Sequence, residues 1–195
     1  FSEMANVPGP GGRAAILNSM KRHPRCAMLA LQHRWANDVE RLLARVESDP
    51  DDGRSVLRLA KHYADTGDFV NARKWYERRV EIGGSDEEVY YAMYQIAESM
   101  SKFGEPWPAV EDVLLKAWQT RPTRAEPLHA IACRYRIEKR YKFAYLFAES
   151  AAKISLPEGD RLGVCEEIYA WRATDELAVC ASWSGRHAEA FALCR

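Results

Sequence analysis

The sequence predicts an all-α protein, a right-handed solenoid built from four to five antiparallel helix hairpins. Apolar residues recur at the spacing of one helix face through most of the chain, and no strand-like alternation interrupts them. Glycines break this pattern between helical runs, at places where a hairpin needs a turn. Short side chains also recur at distances close to one repeat, at Ala72, Val110, Ala144 and Ala190.

The first hairpin is predicted by the stretch DTGDFVNARKWYERRV, from Asp65 to Val80. A glycine inside one helix would cost about 1 kcal/mol relative to alanine. Gly67 instead suits the left-handed end of a helix, and Asp68 can cap the helix that follows. The apolar and turn positions of this unit are Leu59, Ala60, Tyr63, Gly67, Phe69, Ala72 and Tyr76. This set resembles the tetratricopeptide repeat, a helix–turn–helix unit of about 34 residues.

Three further units follow the same pattern, around Ile96–Val110, Ile131–Ala151 and Leu177–Ala190. The Ser85–Glu88 stretch is a capping-box pattern that predicts the start of the second unit. Subtraction gives intervals of 38, 34 and 46 residues between the four small positions, so the last interval predicts an insertion near residues 155–170. We therefore expect a flexible or linker segment at 1–22 and a tetratricopeptide-like domain at 23–195 with a truncated last repeat.

The composition argues against several classes of partner. Lysine plus arginine and aspartate plus glutamate number 28 each, and a neutral chain without a long basic run disfavours nucleic acid. No uninterrupted apolar run is long enough to span a bilayer, and no signal-peptide pattern is present, so we expect no membrane partner. The five cysteines form no C-x-x-C pair and are typical of reduced thiols in a cytoplasmic protein. The oligomeric state stays open.

Three short motifs carry groups that could bind metal or phosphate, and each has a simpler interpretation. Asp49-Pro50-Asp51 is an Asp-x-Asp string, but its composition favours a turn between helices. His23 and Cys26 offer two of the four ligands that structural zinc needs, and the second pair is missing. The GPGGR stretch at residues 9–13 lacks the Gly-Lys-Ser/Thr ending of a phosphate loop and reads as a linker.

Two further sets could serve catalysis. Cys133 and Cys180 lie within helical apolar runs, and either could be a nucleophile only beside a histidine base, so buried packing is favoured. The pairs Glu166-Glu167 and Asp175-Glu176 could supply carboxylates for glycosidic chemistry, but helix caps and solvated surface are favoured. Because no ligand set or triad is complete, we expect no catalytic residue, no metal and no cofactor in this segment.

The remaining candidate site is a groove along the first helices of the hairpins. In stacked tetratricopeptide units, groove positions fall two, five, nine, twelve and thirteen residues into each unit. On this chain these positions are Arg54, Lys61, Asp65, Tyr94, Glu98, His129, Arg136, Asp175 and Trp183. We expect them to face solvent and to bind a protein or peptide partner, since aromatic and arginine side chains are typical of binding hot spots.

Four stretches carry a more specific resemblance: GGSDEEVYYAMYQIA, RPTRAEPLHAIACRYR, YKFAYLFAESAAKISLP and YAWRATDELAVCASWSGRHAEA. They resemble the helical repeat region that follows the catalytic domain in some family-two glycosyltransferases of actinobacteria, large viruses and phages. The resemblance covers roughly Asp49 to Arg195. Its most specific parts are Thr123–Pro127 and the set Tyr169, Trp171, Asp175 and Glu176. In that family the preceding catalytic domain holds a metal and a nucleotide sugar with an Asp-x-Asp motif, and only about fifty residues precede the repeats here.

The resemblance implies a non-catalytic protein-interaction module that is accessory to, or derived from, a glycosyltransferase. Such a module would present a protein acceptor or an assembly partner to the enzyme. Two alternatives stay open: a stand-alone scaffold or structural assembly protein without sugar chemistry, and an enzyme whose site lies in the insertion. We expect no enzymatic activity in this segment, and an upstream catalytic domain would decide whether a longer parent chain is a glycosyltransferase.

Overall fold

The computed structural model describes residues 37–195 of the chain. The chain divides after Asp49: residues 37–49 belong to the first unit, where 37–48 are helical, and Pro50–Arg195 form the second. The expected flexible segment at 1–22, the His23 and Cys26 pair and the GPGGR stretch lie outside the described residues.

The second unit consists of helices and the loops that join them, and no residue in the described part of the chain adopts strand structure. Its elements are α1 (Gly53–Asp65), α2 (Phe69–Ile82), α3 (Asp86–Lys102), α4 (Trp107–Thr120), α5 (Glu126–Ile137), α6 (Tyr141–Ala152), a π-helical turn (Ile168–Arg172), α7 (Ala173–Trp183) and α8 (His187–Leu193). No helix among residues 37–195 combines the length and the apolar character needed to cross a membrane.

The helices pack as four consecutive hairpins. Each odd-numbered helix packs against the even-numbered helix that follows it, and each of α2, α4 and α6 also packs against the first helix of the next hairpin. Contacts restricted to neighbouring units define a helical repeat solenoid. The predicted all-α fold of stacked hairpins is confirmed.

In all four hairpins, the turn between the two helices has the same backbone conformation. The turn residues Gly67, Gly104, Lys139 and Gly185 have φ values of 81°, 69°, 59° and 83°. The residue that follows each turn residue donates its N–H, at 2.8–3.0 Å, to a carbonyl in the last turn of the preceding helix. The four accepting carbonyls are those of Tyr63, Met100, Tyr135 and Ala181. This bond is the mark of a Schellman helix end, which favours glycine. The role predicted for Gly67 is confirmed, and Lys139 takes the same role in the third hairpin.

The small repeat positions lie where the two helices of each hairpin touch. Ala72, Val110, Ala144 and Ala190 are buried, with exposures of 0% to 8%. Asp68 caps α2 as predicted, since its Oδ1 accepts from the Asn71 N–H at 3.1 Å.

The predicted capping box at the start of α3 is wrong. Ser85 occupies the N-cap position, but its side chain makes no capping hydrogen bond. Glu88 does not reach back to the helix end, because its carboxylate accepts from Arg79 at 2.7 and 2.9 Å. An ion pair with the preceding helix has replaced the local cap.

Residues 153–167 lie between α6 and the π-helical turn, and buried ionic groups anchor them. Arg124 is fully buried and donates to the carbonyls of Leu162 and Gly163 at 3.1 and 2.9 Å. The same guanidinium pairs with Glu126 at 2.9 Å and with Asp160 at 3.3 Å. The guanidinium of Arg121 lowers the pKa of Asp160. The almost completely buried side chains of Arg124, Glu126 and Asp160 therefore hold the segment against the repeats.

Candidate functional site

All nine predicted groove residues lie on the first helices of their hairpins, α1, α3, α5 and α7. Arg54, Asp65, Asp175 and Trp183 are exposed, and Lys61, Tyr94, Glu98 and Arg136 are partly buried. His129 is buried at 7% exposure. The expectation that every groove position faces solvent is wrong for His129, because α7 and the turn before it pack over this part of α5.

Aromatic side chains connect the first two hairpins on this face. The Nζ atom of Lys61, on α1, lies 5.3 Å from the centroid of the Tyr91 ring on α3. Tyr94 stacks on Tyr90 with ring centroids 6.3 Å apart, and burial raises the pKa of the Tyr94 hydroxyl. Tyr94 therefore offers a neutral, partly exposed ring on a rigid support.

Four side chains from α5 and α7 lie around the Glu176 carboxylate. We call the five residues the Glu176 cluster: His129, Cys133, Arg136, Glu176 and Cys180. The Arg136 Nε donates to Glu176 Oε1 at 2.6 Å. The Cys133 thiol donates to Glu176 Oε2 at 3.4 Å, and the Cys180 thiol to Oε1 at 3.7 Å. The Cys133 sulfur also lies 3.7 Å from His129 Nε2.

The cluster favours neutral thiols and a neutral imidazole. Burial, followed by the Glu176 carboxylate, raises the pKa of both Cys133 and Cys180 to about 12. Burial, followed by the Arg172 guanidinium, lowers the pKa of His129. The structure thus supplies the histidine neighbour that the sequence did not reveal for Cys133, but the thiol stays protonated and is a poor nucleophile.

A second feature is a surface pocket of about 400 Å³ at the end of α7. Its lining residues are Lys139, Arg140, Tyr141, Lys142, Phe143, Trp183 and Ser184. Trp183 is 66% exposed and stacks on Tyr141 with centroids 5.2 Å apart and rings 12° from parallel. We call this the Trp183 pocket; it combines an aromatic platform with three cationic side chains.

The other candidates from the sequence do not converge into a site. Glu166, Glu167 and Asp175 are exposed, and Glu167 lies 3.7 Å from Arg172. Glu176 is buried and paired with Arg136. The Asp49–Asp51 string forms a turn, as expected, and Asp51 pairs with Arg78 at 3.0 Å.

Sequence reasoning named Cys133, Arg136, Glu176 and Cys180 as separate candidates, but it missed that they come together beside His129. Their signal was the four-residue spacing of His129 to Cys133 and of Glu176 to Cys180, which places each pair on one helix face. The contact between the two pairs could not be read from spacing, because Arg136 and Glu176 are 40 residues apart.

Comparison with known sequences gives a short match. No protein-family profile matches the chain. The proteins Rv1520 of Mycobacterium tuberculosis and Mb1547 of Mycobacterium bovis, both described as uncharacterized, are each 49% identical over 43 residues. This stretch makes up 22% of the chain and 12% of each relative, so the chain spans only a small part of the proteins it matches.

Comparison with solved structures shows the fold. MamA is 16% identical with a TM-score of 0.61, over 86% of this chain and 88% of MamA. YrrB, described as a TPR protein with an unusual peptide-binding site, is 11% identical with a TM-score of 0.55, over 92% of this chain and 88% of YrrB. A putative kinesin light chain of Podosopora anserina with nearly identical TPR-like repeats is 16% identical with a TM-score of 0.54, over 96% and 94%. The chain has the fold of tetratricopeptide-repeat proteins.

Proposed function

We propose that the Pro50–Arg195 unit is a non-catalytic protein-interaction module that binds an extended protein or peptide segment along its first helices. The observation that carries this proposal is the series of partly or fully exposed aromatic and cationic side chains on successive hairpins, Tyr94, Arg136 and Trp183. Rigid aromatic rings and arginine are the residue types that dominate binding energy at interfaces. The peptide-binding description of YrrB agrees with this use of the fold.

The Trp183 pocket suggests the chemistry of the bound segment. Lys139, Arg140 and Lys142 favour a carboxylate, and the exposed face of Trp183 favours an apolar or aromatic side chain. An acidic residue next to an apolar one would satisfy both requirements. The partner is therefore expected to place such a pair at the end of α7.

The more specific part of this proposal is that the module is associated with a glycosyltransferase. The residues that carry the resemblance include Arg124, Glu126 and Tyr169, which together hold the insertion and the start of the fourth hairpin. The mycobacterial relatives come from the bacterial group that the resemblance names, and the matched stretch is a minor part of each. The sequence of the reading frame upstream of Phe1 tests this association. An upstream domain with an Asp-x-Asp motif would support it, and a frame without one would favour a stand-alone scaffold.

The contacts of residues 153–167 favour a structural role over an enzymatic one. The Asp160 carboxylate is paired with Arg121 and Arg124, and backbone carbonyls at Leu162 and Gly163 accept from Arg124. A catalytic acid or base needs access to a substrate. We also place the module in the cytoplasm, in line with the free thiols of Cys133, Cys165, Cys180 and Cys194.

Peptides selected from a displayed random library on the full chain provide the probe for the binding face. We expect Tyr94→Ala and Trp183→Ala each to weaken binding of a selected peptide by roughly 1–3 kcal/mol in calorimetry, the range for hot-spot side chains. Phe191→Ala is the matched control for Trp183→Ala, because Phe191 is also an exposed aromatic but lies on α8, a second helix. Circular dichroism checks that every variant stays folded.

Arg136 needs a separate comparison because its Nε is bonded to the buried Glu176. Arg136→Ala is expected to weaken peptide binding by roughly 1–3 kcal/mol, and it also removes the partner of a buried carboxylate. A thermal melt separates the two effects. A peptide that ignores the Tyr94, Arg136 and Trp183 variants, but loses affinity when residues 155–167 are changed, would place the site in the insertion and contradict the proposal.

A further inference from the structure

Two pairs of potential metal ligands face one another between α5 and α7. His129 and Cys133 are four residues apart on α5, and Glu176 and Cys180 are four apart on α7. Side chains at this spacing lie on the same helix face, about 5–6 Å apart at their Cβ atoms. Because α5 packs directly on α7, imidazole, thiol and carboxylate groups are brought together from two rigid helices.

The distances within this set fit metal coordination. One ligand atom each from His129, Cys133 and Glu176 lies within 4.8 Å of the other two. The Cys133 sulfur is 3.7 Å from His129 Nε2 and 3.4 Å from Glu176 Oε2. Tetrahedral zinc, with bonds of about 2.0–2.3 Å, places its ligand atoms about 3.3–3.8 Å apart. The three side chains therefore need only small movements to share one ion.

Arg136 and Cys180 occupy the opposite side of the Glu176 carboxylate. Arg136 donates to Oε1 at 2.6 Å, and the Cys180 thiol lies 3.7 Å from the same oxygen. Oε2 is the oxygen that accepts from the Cys133 thiol. Arg136 thus orients the carboxylate in the way that outer hydrogen-bond partners orient metal ligands.

The three ligands by themselves balance the charge of a divalent cation, and the guanidinium groups of Arg136 and Arg172 lie beside them. A cysteine thiolate and a glutamate carboxylate neutralise an ion of charge +2, and the imidazole adds no charge when it is neutral. Softness of the ligands selects zinc or a similar transition metal over magnesium or calcium, which prefer oxygen ligands.

We propose that His129 Nε2, Cys133 Sγ and Glu176 Oε2 coordinate a divalent transition-metal ion, with zinc preferred and a water molecule in the fourth position. On binding, the metal replaces the hydrogen of the Cys133 thiol, and that proton passes to the solvent. The ion would fasten α5 to α7 and so fix the third hairpin to the fourth. This site lies on two of the first helices, and Arg136 links it to the proposed partner-binding face because its guanidinium is bonded to the Glu176 carboxylate.

Titration of the full chain with cobalt(II), under reducing conditions, tests the proposal. We expect one equivalent of cobalt to bind with a thiolate-to-metal charge-transfer band and the visible bands of a tetrahedral ion. Cys133→Ser should abolish the charge-transfer band, and His129→Gln should weaken binding at least tenfold. Zinc should displace the cobalt and raise the melting temperature of the wild-type chain in a concentration-dependent way.

Two controls make the test specific. Cys180→Ser removes a buried thiol that contacts the same carboxylate but lies outside the proposed ligand set, so it should keep the cobalt spectrum. The double variant His23→Ala, Cys26→Ser removes the candidate ligands near the start of the chain and should also keep it. Loss of the spectrum in either control, or a wild-type chain whose spectrum and melting temperature ignore cobalt and zinc, would overturn the assignment.

Discussion

At the scale of single residues, Lys139 shows how a backbone conformation can be imposed by the repeat. Its φ of 59° matches the glycines of the other three turns, and its N–H donates to the Arg136 carbonyl at 2.9 Å. A side chain in the left-handed region costs on the order of 1 kcal/mol. The chain has to reverse its direction between α5 and α6, and the packing of these two helices on each other holds Lys139 in this conformation.

We therefore expect Lys139→Gly to stabilise the unit by about 0.5–1 kcal/mol, net of the greater freedom of glycine in the unfolded chain. The free energy of unfolding from urea titration measures this effect. Lys142→Gly is the matched control, because Lys142 lies in the first turn of α6. Glycine at this helical position should lower the free energy of unfolding by about 0.5–1 kcal/mol. A loss of stability of equal size in both variants would contradict the assigned strain.

At the scale of secondary-structure elements, the short side chains at the repeat positions set how closely two helices approach. Ala144 is fully buried and belongs to the same apolar cluster as Ala132 and Tyr135 of α5. A larger side chain here has no free volume to enter, since protein interiors are close-packed.

Ala144→Leu should therefore overpack the α5–α6 contact and reduce the free energy of unfolding by about 1–3 kcal/mol. Ala109→Leu offers a matched control, because Ala109 is an exposed residue in the first turn of α4. Thermal melts of the two variants, compared with that of the wild type, measure the loss of stability. If both melts coincide with that of the wild type, the proposed register of the third hairpin is wrong.

Local spacing was enough to predict the hairpins but not the polar contacts between them. Gly67 and Ala72 could be assigned because turn chemistry and helix periodicity act over a few residues. The bond from the Tyr90 hydroxyl to Glu126 joins residues 36 apart, and the Arg136 pair with Glu176 joins residues 40 apart. Such contacts depend on how hairpins stack, so one sequence could not reveal the Glu176 cluster.

At the scale of the whole Pro50–Arg195 unit, a polar contact crosses each junction between successive hairpins. Arg79 pairs with Glu88 at the first junction, Tyr90 bonds to Glu126 at the second, and Arg136 pairs with Glu176 at the third. In a stack where each repeat contacts only its neighbours, stability is a sum of repeat and junction terms. Losing one junction should then affect the repeats beside it most.

A substitution of Arg79 tests most directly whether the loss of one junction affects mainly the repeats beside it. It is only 2% exposed, bonds to Glu88 and to the Gly83 carbonyl, and stands on α2, where it joins the first hairpin to the second. We expect Arg79→Ala to remove this link, leave Glu88 without its partner and speed amide hydrogen exchange in α1 and α2 by about tenfold or more, equivalent to at least about 1.4 kcal/mol. Exchange in α5–α7 should stay close to that of the wild type, because those helices keep their own junction contacts.

Arg78→Ala is the matched control, because the neighbouring Arg78 pairs with the exposed carboxylates of Asp51 and Glu81 and donates to the Pro50 carbonyl at the surface. Surface pairs contribute at most about 1 kcal/mol. Mass spectrometry of exchanged peptides reads all helices in one experiment. A local increase confined to α1, α2 and the start of α3 in Arg79→Ala, with little change in Arg78→Ala, is the expected result. An equal increase of the exchange rate from α1 to α8 would mean that the four hairpins open together as one cooperative unit. That result would contradict the prediction.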